Sequence, residues 1–394
     1  MDPKIFLAVD NCFASKRWTR PSEWMQVIKD AGLYYVEASA DNECDPLYTT
    51  PEYIKNWIDE IKVHSQKTGV KVANLYSGHG TYATTGLSHT DPRIRERMLN
   101  NWLKEMAKMA VRLEAGLGFF CHAFSDEVLQ DRDLYPAMET ELYRLLGDLA
   151  GSVGGYDGGT LGVEQMYTPH QIPWTIAGAR KLMKKVYEIC GKDFYITIDT
   201  GHQSGQRKFL RPDGTKLKEL LEIYGKGGRI DNLWLGPKSA YEAFHNAAGA
   251  SSPEFDRAVG QIEEEMDKYP YLFAADEDGD PYAWLEALGC YSPIIHLQQT
   301  DGSSSSHKPF IPECNRTGII SGDRVLKAIK ASYEGEKEEG MPRACESIHL
   351  TLEIFSGTAD INEDILYKLR ESVKYWRKYI PEDGLTLSEL AGRL

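Results

Sequence analysis

The alternation of strand-like and helix-like segments is the feature that most constrains the fold of this 394-residue chain. Eight short runs rich in β-branched and aromatic residues have the pattern of buried strands, and most are followed by a helical pattern. These runs span residues 5–10, 34–40, 70–77, 118–124, 161–166, 194–202, 293–302 and 348–356. The alternation predicts an α/β fold with a parallel sheet, and eight units favour a closed (β/α)8 TIM barrel over an open, doubly wound sheet. The open sheet is also disfavoured because the dinucleotide-binding fingerprint is missing.

The predicted helices carry ordinary start and stop signals. The one between Thr50 and Gly69 has a threonine as its N-cap, Pro51 in its first turn and a glycine past its end. Its apolar side chains recur at i, i+3, i+4 and i+7 and form one stripe, which consists of Ile54, Trp57, Ile58 and Ile61. A second predicted helix begins at Asp91 and Pro92 and runs to Gly116. These stripes predict helices that pack on the outside of the sheet.

The connection between the sixth and seventh strands is too long for an ordinary loop. Residues 203–280 contain helical patches separated by polar stretches. We therefore predict a single barrel domain over residues 1–394, in which residues 203–280 form an inserted cap or lid.

The charge balance excludes several classes of partner. The chain has 45 basic and 59 acidic residues and a net charge of −14, so its surface repels nucleic acids and anionic membranes. No apolar stretch reaches the length of a membrane span, and the first residues do not have the pattern of a signal peptide. Seven cysteines, an odd number without any CxxC pair, indicate a reduced cytoplasmic enzyme.

Polar residues recur near the carboxyl ends of the last four predicted strands. Glu164, Asp199, His296 and Glu353 all lie in or directly after runs that otherwise have the composition of a core. In a barrel these strand ends meet at one mouth, where active sites lie. Three carboxylates and one imidazole suit one divalent ion per chain, Mn²⁺ or Mg²⁺, with Zn²⁺ or Co²⁺ as alternatives. The competing explanation is that each carboxylate pairs with a lysine or arginine of the barrel.

Four motifs connect the chain to a known family. VEQMYTPHQIPWT follows the fifth strand, DTGH ends the sixth, HLQQTDG ends the seventh and LEIF ends the eighth. In this order they resemble the xylose-isomerase-like barrel superfamily, which includes ketose 3-epimerases, inosose-processing enzymes and endonuclease IV. Among these relatives, the sequence is most similar to the epimerases of tetrulose phosphates such as erythrulose phosphate.

The resemblance implies a metal-dependent isomerase or epimerase of a ketose or ketose phosphate. Glu164, Asp199, His296 and Glu353 would be the metal ligands, Glu164 and Glu353 would also transfer the proton, and His202 would bond a substrate oxygen. Removal of the proton next to the ketone gives a cis-enediolate, whose charge the metal stabilises. Return of the proton to the same carbon yields an epimer, and return to the neighbouring carbon yields an aldose–ketose isomer.

Further substrate contacts are predicted from residues near the strand ends. They are His79, Glu37, Trp18 and Lys308. Epimerases of free sugars usually place an arginine shortly after the strand-seven histidine, whereas this chain has Asp301, a glycine and a serine run before His307 and Lys308. This departure leaves room for a different end group, such as phosphate. The expected partner is a small carbohydrate, and homo-oligomer formation stays open.

Three alternatives compete with this interpretation. A multi-zinc nuclease like endonuclease IV would use His79 and His122, but its Asp-x-His pair after strand seven is missing and the net charge opposes DNA binding. His122 is more typical of a core histidine. A C-glycoside-cleaving enzyme of the same family would use the same metal on a different substrate. A sugar-binding barrel without catalysis would not require both glutamates, and both are present.

Overall fold

The structure, a computed structural model, describes residues 1–78, 84–152, 159–247 and 252–393. The strands are β1 (Lys4–Asp10), β2 (Tyr35–Ser39), β3 (Lys71–Ser77), β4 (Gly116–Phe119), β5 (Leu161–Glu164), β6 (Tyr195–Asp199), β7 (Ile294–Leu297), β8 (Ser347–Leu352) and β9 (Leu385–Thr386). The helices of the first half are α1 (Pro21–Asp30), α2 (Ala40–Glu43), α3 (Pro51–Thr68), α4 (Pro92–Arg97), α5 (Lys104–Leu113), α6 (Asp126–Gln130), α7 (Leu134–Ser152) and α8 (Ile176–Cys190). Those of the second half are α9 (Gln203–Gln206), α10 (Gly214–Gly225), α11 (Lys238–Asn246), α12 (Ser252–Asp267), α13 (Pro281–Leu288), α14 (Pro312–Asn315), α15 (Gly322–Glu334), α16 (Asn362–Trp376) and α17 (Leu387–Ala391).

The first eight strands close into a parallel barrel. Each strand pairs with the next, β8 pairs with β1, and β1 also pairs with β2. The predicted (β/α)8 TIM barrel is therefore confirmed. The short strand β9 adds an antiparallel edge to β1, where Leu385 pairs with Ile5. The register places Asp199 of β6 directly beside His296 of β7, so the polar ends of these two strands lie at the same level.

Helix α3 illustrates how the sequence directs packing on the barrel. The Thr50 side chain accepts a hydrogen bond from the Tyr53 backbone amide at the N-terminus. At the other end Gly69 adopts φ +80°, a left-handed conformation that suits glycine. The predicted apolar stripe is buried in the main core, which contains Ile54, Trp57, Ile58 and Ile61. Capping and periodicity therefore agree on one orientation for this helix.

Two predicted boundaries are wrong in detail. The fourth strand ends at Phe119 instead of running to Phe124, and His122 has a positive φ of 64° outside the strand. The two glycines of β4 lie close to side chains of β3, since a Cβ on Gly118 would lie 3.0 Å from Asn74 Nδ2. The helix predicted from Asp91 to Gly116 is divided into α4 and α5 by a π-helical turn at Met98–Leu103.

The chain between β6 and β7 contains helices α9 to α13. Apolar side chains of α10, α11 and α12 form a hydrophobic cluster that is separate from the main core of the barrel. Its buried members include Leu217, Leu221, Phe244, Ile262 and Met266. The assignment of residues 203–280 as a cap or lid stays a prediction.

Candidate metal centre and active site

The three acids and the imidazole predicted at the strand ends lie together in the barrel mouth. Glu164 and Asp199 are the last residues of β5 and β6, His296 lies in β7, and Glu353 directly follows β8. Their exposed fractions are 4% for Glu164, 0% for Asp199, 0% for His296 and 6% for Glu353. Because parallel strands of a closed barrel end at the same rim, side chains distant in sequence converge there.

Two groups of three donor atoms in this cluster are each close enough to share one ion. One atom each from Asp199, His296 and Glu353 lie within 4.8 Å of one another. A second group with the same spacing joins Glu164 and Asp199 to His202. Asp199 belongs to both groups, so the carboxylate at the end of β6 is the centre of the arrangement.

His296 lies between three glutamates. Its Nδ1 is 2.9 Å from Glu164 Oε1 and 3.9 Å from Glu353 Oε2, and its Nε2 is 2.7 Å from Glu37 Oε2. Burial alone lowers the pKa of His296, but the charges of Glu37, Glu353 and Glu164 outweigh it and raise the pKa well above its ordinary value. The Nδ1 side therefore faces the cluster, and the Nε2 side faces Glu37.

Glu37 is enclosed by polar partners. The side-chain amide of Asn74 donates to its Oε1 at 2.6 Å, and Oε2 faces His296. The Glu37 side chain is fully buried. A carboxylate on the outer nitrogen of a ligand histidine fixes the ring and its tautomer. This geometry suits orientation of His296, whereas the predicted contact of Glu37 with substrate stays a prediction.

The charge of the mouth is strongly negative. Five buried carboxylates surround it, those of Asp10, Glu37, Glu164, Asp199 and Glu353. Within the described residues, the ion-pair partners of this set are histidines, and neither lysine nor arginine takes part. Burial, followed by the charges of Glu37 and Glu353, raises the pKa of Asp10 well above its usual value. Such an excess of carboxylates over histidines fits a divalent cation with oxygen and imidazole ligands.

Asp199 is held by hydrogen bonds from three directions. The backbone amides of Gly201 and His202 donate to Oδ1 at 2.6 and 3.1 Å, and the Gln298 amide donates to both oxygens at 2.9 and 3.0 Å. Burial raises the pKa of Asp199, yet the nearby histidines, led by His202, lower it below its usual value. A Cβ on Gly201 would lie 2.3 Å from Gln298 Cδ. The glycine of the DTGH motif is therefore required for the approach of Gln298.

Tyr76 of β3 holds the other end of Glu164. Its hydroxyl donates to Glu164 Oε2, and its ring meets the His296 ring edge-on at 5.3 Å between centroids. Burial and the Glu164 charge raise the pKa of Tyr76 well above its ordinary value, so the hydroxyl stays a donor. The sequence analysis missed this residue, although its place near the end of a strand is a signal that could have identified it.

One ring nitrogen of His202 is hydrogen-bonded to the backbone, and the other faces the carboxylate cluster. Its Nδ1 is 2.7 Å from the carbonyl oxygen of Gln165, which can only accept, so Nδ1 carries the proton. Its Nε2 is 4.0 Å from Asp199 Oδ2. The geometry suits a bond to a substrate oxygen, as predicted, and equally a metal–nitrogen bond. The assignment of His202 to substrate stays a prediction.

Glu353 is approached by His307 from the loop after β7. His307 Nδ1 is 3.1 Å from Glu353 Oε2, and the imidazole packs on Phe355 with 4.1 Å between ring centroids. Burial lowers the pKa of His307, but Glu353 outweighs it and raises the pKa to about 9. Burial raises the pKa of Glu353, and the two histidines only partly offset this. The sequence analysis noted His307 only as a cation near the site.

A cavity of about 420 Å³ opens above the cluster. Glu164, Glu353, His202 and Tyr76 line its floor together with Asp10. Its walls include Tyr167, Phe355, Ser15, Ser305, His307 and Ser356. The volume and the mixture of polar and aromatic walls suit a small, highly hydroxylated molecule.

The remaining predicted contacts lie elsewhere or outside the described residues. Lys308 pairs with Asp301 at 2.9 Å, and Trp18 packs against Phe13 with 6.1 Å between ring centroids. Neither Lys308 nor Trp18 is among the described residues that line the cavity. His122 is buried against the rings of Trp102 and Phe120. His79 lies outside the described residues, so its predicted role is not addressed.

The structure contains a second cavity of about 470 Å³. It is lined by Ser204, Arg207 and Lys208 after β6, by Gly302 after β7, and by residues between Leu210 and Trp234, which include Lys216. Arg207 donates to the carbonyl oxygens of Gly279 at 2.8 Å and Gly302 at 3.3 Å. Its guanidinium therefore joins the β6–β7 connection to the loop after β7.

Comparison with known families agrees with this architecture. The sequence profile of the xylose isomerase-like TIM barrel family matches residues 25–231, just over half of the chain. The chain belongs to this family. No described helix is both long enough and apolar enough to cross a membrane.

Individual relatives give more detail. The chain is 29% identical over 186 residues to D-erythrulose 1-phosphate 3-epimerase from Brucella abortus (strain 2308), a match that covers 43% of this chain and 56% of that protein. The chain thus matches little more than half the length of this curated relative.

Two solved structures have a similar fold. A Rhodospirillum rubrum ATCC 11170 protein, provisionally named a xylose isomerase, is 17% identical with a TM-score of 0.66 and covers 95% of this chain and 99% of its own. The D-psicose 3-epimerase of Clostridium cellulolyticum H10, solved with D-tagatose, is 13% identical with a TM-score of 0.54 over 95% and 98% of the two chains. At these identities the likeness establishes the fold alone.

Proposed function

We propose that this protein is a divalent-metal-dependent epimerase or isomerase of a ketose or ketose phosphate. The observation that carries the proposal is the convergence of two buried glutamates on one cavity: Glu164 and Glu353 both approach His296 Nδ1, at 2.9 and 3.9 Å. Proton transfer next to a ketone requires carboxylates held close to the carbon that reacts. The similarity to an erythrulose phosphate epimerase supports the same class of reaction.

The residues that would hold the ion are Glu164, Asp199, His296 and Glu353. When bound, a divalent ion such as Mn²⁺ supplies Lewis-acid polarisation of the substrate carbonyl and neutralises developing negative charge. The protein prepares this site with a fixed ligand geometry, since Gln298 holds Asp199 and Glu37 holds His296. His202 is a fifth candidate ligand or a donor to a substrate oxygen.

The two glutamates differ in environment, and this difference divides their roles. The charge of His296 outweighs burial at Glu164 and lowers its pKa, whereas burial prevails at Glu353 and raises its pKa. A pair of acids with pKa values shifted in opposite directions is suited to one base and one acid. In the proposed mechanism Glu164 takes the proton beside the ketone, and Glu353 returns a proton to the enediolate.

The direction of proton return decides the product. Donation by Glu353 to the same carbon from the other face inverts that centre and gives an epimer. Donation to the adjacent carbon gives an aldose when the proton was taken from the terminal carbon beside the ketone, and moves the ketone one carbon along the chain when it was taken from the other neighbouring carbon. Because the two glutamates come from β5 and β8, with two strands between them, we favour epimerisation.

The surroundings expected for such an enzyme are also proposals. All seven cysteines are free thiols, which supports a reducing compartment such as the cytoplasm. Mn²⁺ is our preferred ion because oxygen ligands dominate the set. The natural partner would be a small carbohydrate.

The decisive experiment combines metal content with hydrogen exchange. The purified protein should hold about one Mn²⁺ per chain, and proton NMR in deuterated water should show exchange of the proton beside the ketone in one member of a panel. The panel comprises ketoses of four to six carbons, both free and phosphorylated at either end.

Substitutions of the two glutamates complete this test. Glu164→Gln and Glu353→Gln should each abolish the exchange. Glu139→Gln is the matched control, because Glu139 is also buried but bonds Tyr143 and Lys181 on the outer helices. A protein that binds metal yet exchanges no ketose proton would instead support the C-glycoside-cleaving or the non-catalytic alternative.

A further inference from the structure

The serine run after β7 is folded tightly onto the end of that strand. The Thr300 hydroxyl donates to the Ser304 carbonyl oxygen at 2.7 Å. The backbone amide of Gln299 donates to the Lys308 carbonyl oxygen at 2.8 Å. Closing the loop in this way turns the side chains of Ser305 and His307 into the cavity above the metal cluster. The loop is therefore an ordered wall of the site.

Gln298 connects this wall to the metal cluster. Its Oε1 accepts the His307 backbone amide at 2.8 Å, and its Nε2 is 3.0 Å from Ser305 Oγ while also donating to Asp199. Ser305 and His307 are thus fixed relative to a metal ligand before any substrate arrives. Such preorganisation is typical of a binding site.

Two more hydroxyl-bearing residues line the same side of the cavity. Ser15 follows β1 and Ser356 follows β8, so both lie on loops adjacent to the one that carries Ser305. Ser356 Oγ is buried without a hydrogen-bond partner within the described part of the chain. His307 Nδ1 is occupied by Glu353, and no contact is described for its Nε2. These donors have capacity left for a ligand.

Two basic residues directly follow Ser15 in the sequence. Lys16 Nζ donates to Thr358 Oγ1 at 3.3 Å, and Arg17 Nη2 donates to the carbonyl oxygens of Gly357 at 2.9 Å and Asp360 at 2.6 Å. Two cations are therefore anchored on the loop that carries Ser356. The Asp360 carboxylate in this loop faces Lys368 at 3.3 Å.

An acid also lines the cavity. Asp41, in helix α2 directly after β2, accepts a hydrogen bond from Ser77 at 2.5 Å. Because β2 pairs with β1, whose loop carries Ser15, an anionic end group is favoured towards Ser305, His307 and Ser356 and repelled on the side of Asp41.

We propose that Ser15, Ser305, His307 and Ser356 form the subsite for the phosphate group of a phosphorylated ketose. Several hydroxyl donors and an imidazole that line one cavity from adjacent loops match a tetrahedral group with three acceptor oxygens better than a neutral hydroxyl. The assignment rests on the proposed function, because it takes the ketone end of the same molecule to lie over the metal cluster. It also gives the serine run a role.

The first test uses inorganic phosphate and does not require the natural substrate. The Mn²⁺-loaded protein is titrated with phosphate, and the ³¹P line width reports binding near the ion. Ser356→Ala and His307→Gln should each weaken phosphate binding by roughly fivefold or more, as expected for the loss of one charge-assisted hydrogen bond. Lys55→Ala on helix α3, whose amine pairs with Asp59 at 2.7 Å, is a control for the loss of a surface cation and should bind like the parent protein.

The second test compares one ketose with and without its phosphate. Ser356→Ala should raise KM for the phosphorylated ketose by roughly tenfold more than it raises KM for the free ketose. Ser305→Ala should act in the same direction, while Lys308→Met should not, because Lys308 faces Asp301. The midpoint of urea unfolding serves as the folding control for each variant.

The outcomes separate this inference from the proposed function. The subsite is overturned if the parent protein, Ser356→Ala and His307→Gln bind phosphate with equal affinity. It is also overturned if the parent protein does not bind phosphate at tens of millimolar. Loss of phosphate preference through Lys308→Met alone overturns it as well. If phosphate binding depends on Ser356 and His307 but no ketose proton exchanges, the subsite stands and the proposed reaction fails.

Discussion

The side-chain amide of Gln298 donates to both carboxylate oxygens of Asp199, at 2.9 and 3.0 Å. Asp199 ends β6 and Gln298 directly follows the neighbouring strand β7, and Asp199 is common to both groups of potential metal ligands. One neutral side chain therefore sets the orientation of the carboxylate on which the cluster depends. Neighbours of this kind govern metal affinity without contacting the ion.

The first prediction concerns Gln298 itself. Gln298→Leu should weaken Mn²⁺ binding by roughly 10- to 100-fold, because Asp199 loses its side-chain donor and can rotate. Isothermal titration calorimetry measures the change. Gln299→Leu is the matched control, since Gln299 is equally buried but bonds Asn315 and the Ile320 carbonyl oxygen. Equal affinities in the parent protein and in Gln298→Leu would falsify the proposed orientation role.

The second prediction tests why position 201 is glycine. In Gly201→Ala the new Cβ would lie 2.3 Å from Gln298 Cδ, so Gln298 must move away from Asp199. We expect a loss of about 1–3 kcal/mol in the free energy of unfolding, measured with urea, together with weaker Mn²⁺ binding. Gly151→Ala on helix α7 is the control, because no described residue has an atom within 4 Å of its Cβ position. If the two alanine variants behave alike, steric exclusion at Gly201 is not the reason.

The third prediction separates orientation from substrate contact at Glu37. Glu37→Gln keeps the shape but removes the charge that faces His296 Nε2 at 2.7 Å. We expect Mn²⁺ affinity to fall by roughly tenfold or more. A direct contact with sugar predicts the reverse result, namely an increased KM with unchanged metal affinity. Electron paramagnetic resonance of free Mn²⁺ provides the measurement.

The fourth prediction concerns the pH dependence of stability and lies away from the site. Burial lowers the pKa of His349 from 6.5 to about 4, and its ring stacks on Phe6 with 4.9 Å between centroids. Below pH 6.5 the unfolded state binds a proton that the folded state rejects. Stability from this group is therefore fully present above pH 6.5 and is lost as the pH falls towards 4.

The loss in the free energy of unfolding should be about 2 kcal/mol. This is less than the full pKa shift of His349 implies, because the ring is not completely buried. Urea unfolding of the parent protein and of His349→Phe between pH 4 and pH 7 measures it. The difference in stability between the two proteins should change across this range in favour of the variant at low pH. A constant difference would show that His349 titrates normally.

The parts of the fold that follow periodic rules were predictable. A closed parallel barrel brings the ends of its strands to one rim, so Glu164, Asp199, His296 and Glu353 could be grouped from their places in the sequence alone. The predicted bounds of β4 were wrong because glycines stand where the pattern of a strand expects β-branched or aromatic residues. Gly116 and Gly118 carry β4, while the apolar run that follows it, including Phe120 and Phe124, leaves the sheet.

The supporting residues of the site could not be predicted for a different reason. Tyr76, Gln298 and His307 act through single hydrogen bonds to carboxylates on other strands or loops. A neutral polar side chain near the end of a strand has no periodicity and no charge that marks its partner. Its role depends on the register between strands and on loop folding, both of which are tertiary properties.

The separate apolar cluster of helices α10 to α12 has a consequence for local unfolding of the protein. Because Leu217, Phe244 and Ile262 pack among themselves and outside the barrel core, their amide protons should exchange through a cooperative opening of their own, at lower free energy than the strands. These helices can therefore unfold locally and refold while the eight strands of the barrel stay paired.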